Sequence, residues 1–358
     1  MSDVLLTYSL IQEGFNDRKK ELGEGLLFGM GNPLLDIQGK VTKEFLTRWG
    51  LKENDAILCD EKLVPMFHEL TERDDIEYIA GGATQNALRV CQWILGTRNT
   101  AGFSGCIGND KFGTRLTEEM TKAGVKTIYQ IHPTEKTGTC ACGIYKEFRS
   151  LCAHLAAANC FTKDHIEKPE NWKLVENAQF YYIAGFFLTV CPPAIMAVAE
   201  HSLANNKTFM MNLSAPFLVQ FFKEPMTAVL PYVDVLFGNE SEALAFAKEH
   251  NFGTEKISEI ALQLSALPRK KSTGSRLVVI TQGSDPTIIA QDGKLVEYPV
   301  IPLSKEQIVD TNGAGDSWVG GKCSSIIFCV APKEVGVRNL VFTGSLFEDK
   351  EQYVTERV

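Results

Sequence analysis

The residues best suited to chemistry stand at Gly313-Ala314-Gly315-Asp316, directly before Ser317, Trp318 and Val319. Two glycines one residue apart, ahead of a helical stretch, read as a loop that opens a helix. There the first backbone amides have no intrahelical acceptor and the helix dipole favours an anion. An aspartate in that place repels a bound phosphate unless its charge is used. Proton acceptance is such a use: when a hydroxyl attacks a phosphoryl group, a carboxylate takes its proton while amides and a metal ion absorb charge on the transferred group. Taken alone, the same residues also read as a turn with Asp316 as a cap.

Other phosphate motifs fail on inspection. Gly320-Gly321-Lys322 misses the P-loop because Asp316 stands where that motif needs glycine. Gly29-Met30-Gly31 begins like a dinucleotide fingerprint, but Leu34 occupies the third glycine position, which disfavours a nicotinamide enzyme. Asn239-Glu240-Ser241-Glu242 reads as a helix start with Asn239 as cap and acids in the first turn. Asn32-Pro33, with Asp36 after it, reads as a turn. Cys140 and Cys142 lack the paired spacing of a zinc site, and the ten cysteines read as reduced and mostly buried.

These residues need a scaffold. Through the C-terminal two thirds, short runs rich in Val, Ile and Phe alternate with stretches of helical period, the pattern of βα units on a parallel sheet. Tyr181–Phe187 precedes a helix over Pro193–Asn205, whose Ile195, Val198, Ala199 and Leu203 share a face. Phe209–Leu213, Val233–Phe237 and Leu277–Thr281 continue the strands, with helices over Ser241–His250 and Glu255–Leu267, so Asn212, Asn239 and Thr281 fall at strand ends. Ligands of open α/β sheets collect there. Nearer the N-terminus, Leu26–Met30 reads as a buried strand and Thr42–Gly50 and Thr84–Leu95 as helices. Leu35–Val41, Glu77–Ile79, Gly138–Tyr145 and Ser150–Ala156 alternate like a small sheet hinged at Gly81-Gly82, a lid.

The composition agrees. The 358 residues, 44% hydrophobic and 22% charged, suit a large α/β domain with a smaller appendage. A net charge of −8 argues against nucleic acid or an anionic membrane as partner. The apolar run Phe180–Cys191 falls short of the roughly 20 residues that span a bilayer, and no signal peptide is recognisable, which predicts a cytoplasmic protein.

The whole run Asp310-Thr311-Asn312-Gly313-Ala314-Gly315-Asp316 matches the signature of the ribokinase-like, pfkB-type carbohydrate kinases, and the chain from Leu26 to Gly321 resembles that family's adenosine kinase branch. The resemblance implies an α/β fold, with a mainly parallel sheet flanked by helices and a discontinuous β lid. On this reading 1–21 is an extension; 22–33, 59–75, 85–131 and 156–321 form the large domain; 34–58, 76–84 and 132–155 form the lid; and 322–358 is a divergent tail. The implied reaction moves the γ-phosphoryl of ATP to the 5′-hydroxyl of adenosine in purine salvage, with Mg2+ and K+ as ions and a monomeric, cytoplasmic and also nuclear enzyme.

By the same resemblance Asp316 is the base, and Gly313, Ala314, Gly315 and Asp316 form the anion hole. Arg149 reaches the transferred phosphate as the lid closes. Asn32, Asp36, Gly82, Asn86 and Asn312 hold the ribose side, while Leu34, Leu58, Cys140, Leu151, Ala153, Phe186 and Phe217 enclose adenine. Asn212, Asn239, Thr281, Gln282, Gly283 and Thr311 serve ATP, and Glu242 acts on Mg2+ through water. Ala83 replaces the serine usual in Gly81-Gly82-Ala83-Thr84-Gln85-Asn86, and His154 carries no role.

The likeness stops after Gly321: the hydrophobic helix expected next is not recognisable in Lys322–Val358, which ends in an acidic, charged stretch. Two alternatives therefore stand beside the leading one, a kinase of simple sugars and a nucleoside-binding isoform impaired in turnover.

Overall fold

The computed structural model describes residues 22–304, apart from 54, 55, 147 and 273, together with residues 313–330. Asp310, Thr311, Asn312, the first 21 residues and everything beyond Val330 lie outside it.

The chain builds one large sheet around β1 (Leu27–Met30), whose four residues are all buried. Such a strand, apolar on both faces, needs cover on both. To one side run β5 (Ala101–Ser104) and β7 (Lys126–Thr127). To the other run β11 (Phe180–Ala184), β12 (Thr208–Asn212), β13 (Val235–Asn239) and β14 (Leu277–Gln282), all parallel. An antiparallel pair, β15 (Asp285–Gln291) and β16 (Lys294–Tyr298), closes that edge. Connections leave β1 in opposite directions, so the crevice between the carboxyl ends of β1 and β11 is a topological switch point, where open α/β sheets bind ligands.

A second sheet runs β3 (Ala56–Leu58), β10 (Phe148–His154), β9 (Thr139–Tyr145), β2 (Leu34–Lys40) and β4 (Glu77–Gly81). Sequence alternation found four of these strands but not β3, which has only three residues. A two-stranded sheet, β6 (Cys106–Gly108) with β8 (Gln130–His132), completes the strands among the described residues.

The second sheet is two-faced. Ile37, Ala141 and Cys152 turn towards helices α1 (Lys43–Trp49) and α2 (Val64–Thr71), packing on Phe45, Leu46, Met66, Phe67 and Leu70. The residues between them point the other way, towards the crevice.

Two apolar layers cover the large sheet. One includes α4 (Pro192–Ala204), with Ile195, Val198, Ala199 and Ser202 buried. Leu203, expected on that face, is only half-buried: position 202 lies seven residues, nearly two full turns, beyond Ile195, and position 203 is rotated off the stripe. The other layer contains α3 (Ala83–Leu95) and α6 (Ala314–Val330), in which Val319, Cys323 and Ile327 meet Ala87, Leu88, Cys91 and Leu95.

That helix corrects the expectation for the segment after Gly321: an apolar helix continues to Val330, carried by the i, i+4, i+8 spacing of Val319, Cys323 and Ile327. Polar Lys322, Ser324 and Ser325 obscure it in the sequence, and both serine hydroxyls bond back to the Gly321 carbonyl, at 2.7 and 3.0 Å. The two helices cross closely at Gly320, where a Cβ would stand 2.5 Å from the Ala87 carbonyl oxygen. Helix α5 (Glu240–Glu249) follows β13. Among the described residues no helix is long and apolar enough to cross a membrane.

Candidate active site

The crevice between the sheets holds a cavity of about 350 Å³. One wall is the inner face of the second sheet. Register pairs Asp36 of β2 with Cys140 of β9, Cys140 with Ala153 of β10, and Ala153 with Leu58 of β3, so these side chains share a face. Leu34, Leu151 and Arg149 join them at the cavity. Leu58 is 40% exposed and stands at its mouth.

The opposite wall comes from the ends of β11 and β12. Phe186 and Phe217 face each other there with ring centroids 6.3 Å apart and planes inclined by 45°. The loops that carry them are tied together, since the Ser214 hydroxyl accepts from the Gly185 amide at 2.8 Å. Thr84 at the start of α3 likewise accepts from the Ala184 amide at 3.1 Å.

The floor is made of two helix starts. Gly82 precedes α3 with φ of +97°, and a Cβ on it would meet the Asn32 carbonyl oxygen at 2.3 Å, so only glycine lets the strands and the helix meet there. Gly313 precedes α6, placing Ala314, Gly315 and Asp316 in its first turn at the cavity. Asn86 of α3 donates from Nδ2 to Oδ2 of Asp316 at 3.0 Å, linking the two helices through the floor. Asn32 also lines the cavity, and its Oδ1 is buried without a hydrogen-bond partner in the protein.

The electrostatics are those of a site short of positive charge. Burial pushes the Asp316 carboxyl up to about 7, against the stabilising bond from Asn86. Asp36 is also raised to about 7, by burial first and by repulsion from Asp316, with Arg149 and Arg89 pulling it down. Arg149 is itself buried and donates from Nη1 to the Gln38 side chain at 2.7 Å.

Every described residue expected at the substrate or the anion hole lines this one cavity: Asn32, Leu34, Asp36, Leu58, Gly82, Asn86, Cys140, Arg149, Leu151, Ala153, Phe186, Phe217, Gly313, Ala314, Gly315 and Asp316. Thr311 and Asn312 lie outside the described residues. Sequence reading missed Ala56 and Ile57, for lack of β3, and assigned no role to Leu155, Phe187, Thr189 or the hydroxyls of Thr84 and Ser214. The three-residue run Ala56-Ile57-Leu58 was the available signal for the strand.

The residues expected to serve ATP do not line the cavity. Asn212, Asn239 and Thr281 stand in a row at the carboxyl ends of β12, β13 and β14, on the same edge of the sheet. Gln282 bonds the Pro286 carbonyl at 2.5 Å, and Gly283 makes the turn into β15 with φ of +59°. Glu242 caps α5: Asn239 donates to it from the backbone amide at 3.1 Å and from Nδ2 at 2.9 Å, and accepts from the Glu242 amide at 2.9 Å. Its carboxyl is buried and raised to about 7, chiefly by burial, with Glu240 and Asp316 adding repulsion. A carboxylate so engaged suits a metal held through water better than a direct ligand.

Comparison with known proteins agrees with this geometry. The pfkB family of carbohydrate kinases matches residues 43–327. Adenosine kinase 2 of Arabidopsis thaliana is 50% identical over 321 residues, 90% of this chain and 92% of its own length. The Schizosaccharomyces pombe adenosine kinase is 44% identical over 298 residues, 83% of this chain and 86% of the relative. Among solved structures, Anopheles gambiae adenosine kinase in complex with P1,P4-di(adenosine-5) tetraphosphate superposes with a TM-score of 0.84 at 48% identity, covering 86% of this chain and 91% of that one. Schistosoma mansoni adenosine kinase with 2-fluoroadenosine gives 0.83 at 37%, with the same coverage. The chain therefore belongs to the pfkB family of carbohydrate kinases and, within it, to the adenosine kinases.

Proposed function

We propose that this chain transfers the γ-phosphoryl group of ATP to the 5′-hydroxyl of adenosine, giving AMP and ADP. The observation that carries the reading is the pairing of Asn86 with Asp316 at the floor of a cavity that is polar at one end and aromatic at the other.

A nucleoside fits that division. Asn32 and Asp36 offer short polar groups to ribose hydroxyls, with the unpartnered Asn32 Oδ1 as an acceptor. Phe186 and Phe217, with Leu34, Leu151 and Ala153, enclose a flat apolar base. The 5′-hydroxyl then lies over Asp316, whose value near 7 suits a base working at neutral pH. As the hydroxyl oxygen attacks phosphorus, its proton passes to the Asp316 carboxylate. The amides of Gly313 to Asp316, with no intrahelical acceptor, take up charge on the transferred group. Arg149 adds a fixed cation from the lid as it closes.

ATP is assigned to the row Asn212, Asn239, Thr281, Gln282 and Gly283, with Thr311, beside the cavity. Bound Mg2+ supplies further charge neutralisation on the phosphates. The residues fit such an ion: Asp36, Asp316 and Glu242 are all held near 7, chiefly by burial, and Asp316 repels the other two, a field that a cation relieves. Glu242 is assigned to it through water. K+ has no assigned residue here. The chain acts as a monomer, with 34–58, 76–84 and 132–155 moving as the lid over the large domain.

The aromatic wall disfavours a simple sugar as substrate. The packed helix α6 supports turnover over a binding-only isoform, because it carries Asp316 and rests on α3. The test is adenosine-dependent ADP formation by the purified chain, compared with ribose and fructose. Thermal stabilisation by adenosine without any ADP would refute the reading.

A further inference from the structure

We propose that Asp36, Cys140 and Cys142 form a binding site for a thiophilic divalent cation, Zn2+ or Cd2+, in the wall of the substrate cavity. One ligand atom of each lies within 4.8 Å of the others, and all three residues are buried. Strand geometry brings them together. Cys140 and Cys142 are two apart on β9 and share a face, and Asp36 is the register partner of Cys140 on the neighbouring parallel strand.

Two sulfurs and a carboxylate suit zinc-like ions, whereas Mg2+ prefers an all-oxygen octahedron. Three protein ligands with a cavity on the remaining side match an open site. The thiols have little to lose: Cys140 Sγ is 4.0 Å from the Ala141 carbonyl oxygen and Cys142 Sγ is 3.6 Å from that of Cys140, both weak contacts. Cys142 is fully buried, does not line the cavity and has no part in the phosphoryl transfer described above. Arg149 lies close enough to act on both Asp36 and Cys142, so a complex with one net negative charge has a cation beside it. Uptake of the ion releases the two thiol protons, and with them any proton still on Asp36, to solvent.

Asp36 and Cys140 line the cavity, so a bound ion and a nucleoside exclude each other. This consequence rests on the function proposed above; the metal site does not.

The test is a Cd2+ titration of the purified full chain, read by cadmium–thiolate charge-transfer absorption and compared with Cys142→Ala and Cys142→Ser. The remaining cysteines contribute equally to all three and cancel in the difference. We expect a difference signal of one ion per chain, with affinity weakened in both variants by more than about 100-fold, the upper range for merely altering a partner of a metal ligand. Zn2+ should raise the apparent KM for adenosine at constant kcat in the wild type, reversibly with a chelator, and not in the variants. Cys142→Ser keeps the side-chain volume and carries the comparison if the alanine chain fails to fold. Equal Cd2+ signals in all three chains overturn the site, as does Zn2+ inhibition that competes with Mg-ATP instead of adenosine. A chain that phosphorylates no adenosine yet loses its Cd2+ signal on Cys142→Ser upholds the site and removes only the functional reading.

Discussion

Asn86 and Asp316, 230 residues apart in sequence, meet at 3.0 Å where the starts of two helices converge. The bond fixes the carboxylate and leaves it partly compensated for its burial, so each residue bears on how the other works.

Replacing Asp316 with Asn keeps the shape and removes the proposed base. Turnover should fall by about 10²–10⁴-fold, the usual worth of a positioned general base. Adenosine binding should persist, because the cavity walls are untouched. Single-turnover kinetics beside equilibrium binding of adenosine checks both halves, and retained kcat would exclude Asp316 as the proton acceptor.

Activity should rise with pH through about 7 as Asp316 ionises. Asn86→Ala removes a bond to the charged form, so the acid limb of the kcat/KM profile should move to higher pH. A limb that stays in place in the variant would assign it to another group.

Stability of the ligand-free chain should run the other way. Asp36 and Asp316 are raised from 3.8, and Glu242 from 4.5, each to about 7. Between those values the folded chain holds protons that the unfolded chain has released, so stability declines as pH rises through the window. Asp36→Asn should therefore stabilise the ligand-free protein at pH 8 by up to roughly 4 kcal/mol, about three tenfold steps in proton affinity at about 1.4 kcal/mol each. Denaturant titration at pH 5 and pH 8 reads the difference, which should be smaller at pH 5, where only the lower part of the window has been crossed.

Asn32→Ala deletes an acceptor with no partner in the protein. The protein should lose little stability, while the KM for adenosine rises by about 5- to 150-fold, corresponding to roughly 1–3 kcal/mol for a lost polar contact. A matching loss in melting temperature, with KM unchanged, would make Asn32 a structural residue.

Gly320→Val places a side chain against the Ala87 carbonyl, a backbone atom that cannot swing aside. Overpacking of this kind costs about 1–3 kcal/mol. Through α3 the strain reaches Asn86, so kcat should fall together with melting temperature.

The parallel sheet was legible because its strands are continuous apolar runs, and the second sheet because β2, β9 and β10 alternate. The place of Asp316 at the cavity was legible because a carboxylate in a glycine loop has few uses. What escaped notice depended on partners distant in sequence. β3 is three residues long and exists as a strand only by pairing with β10. The apolar stripe of α6 is interrupted by serines and a lysine, so its burial shows only against α3. Cys140 and Cys142 carry no metal spacing by themselves; Asp36, from another strand, completes the triad.

The bond between Asn86 and Asp316 also has a meaning in time. A ribosome adding about 5–20 residues per second needs on the order of 10–50 s to travel from one partner to the other. In that interval Cys140, Leu151, Ala153, Phe186 and Phe217 are translated in turn, and Asp316 follows them. The walls for a nucleoside are thus complete in the chain before the carboxylate that closes the floor is made.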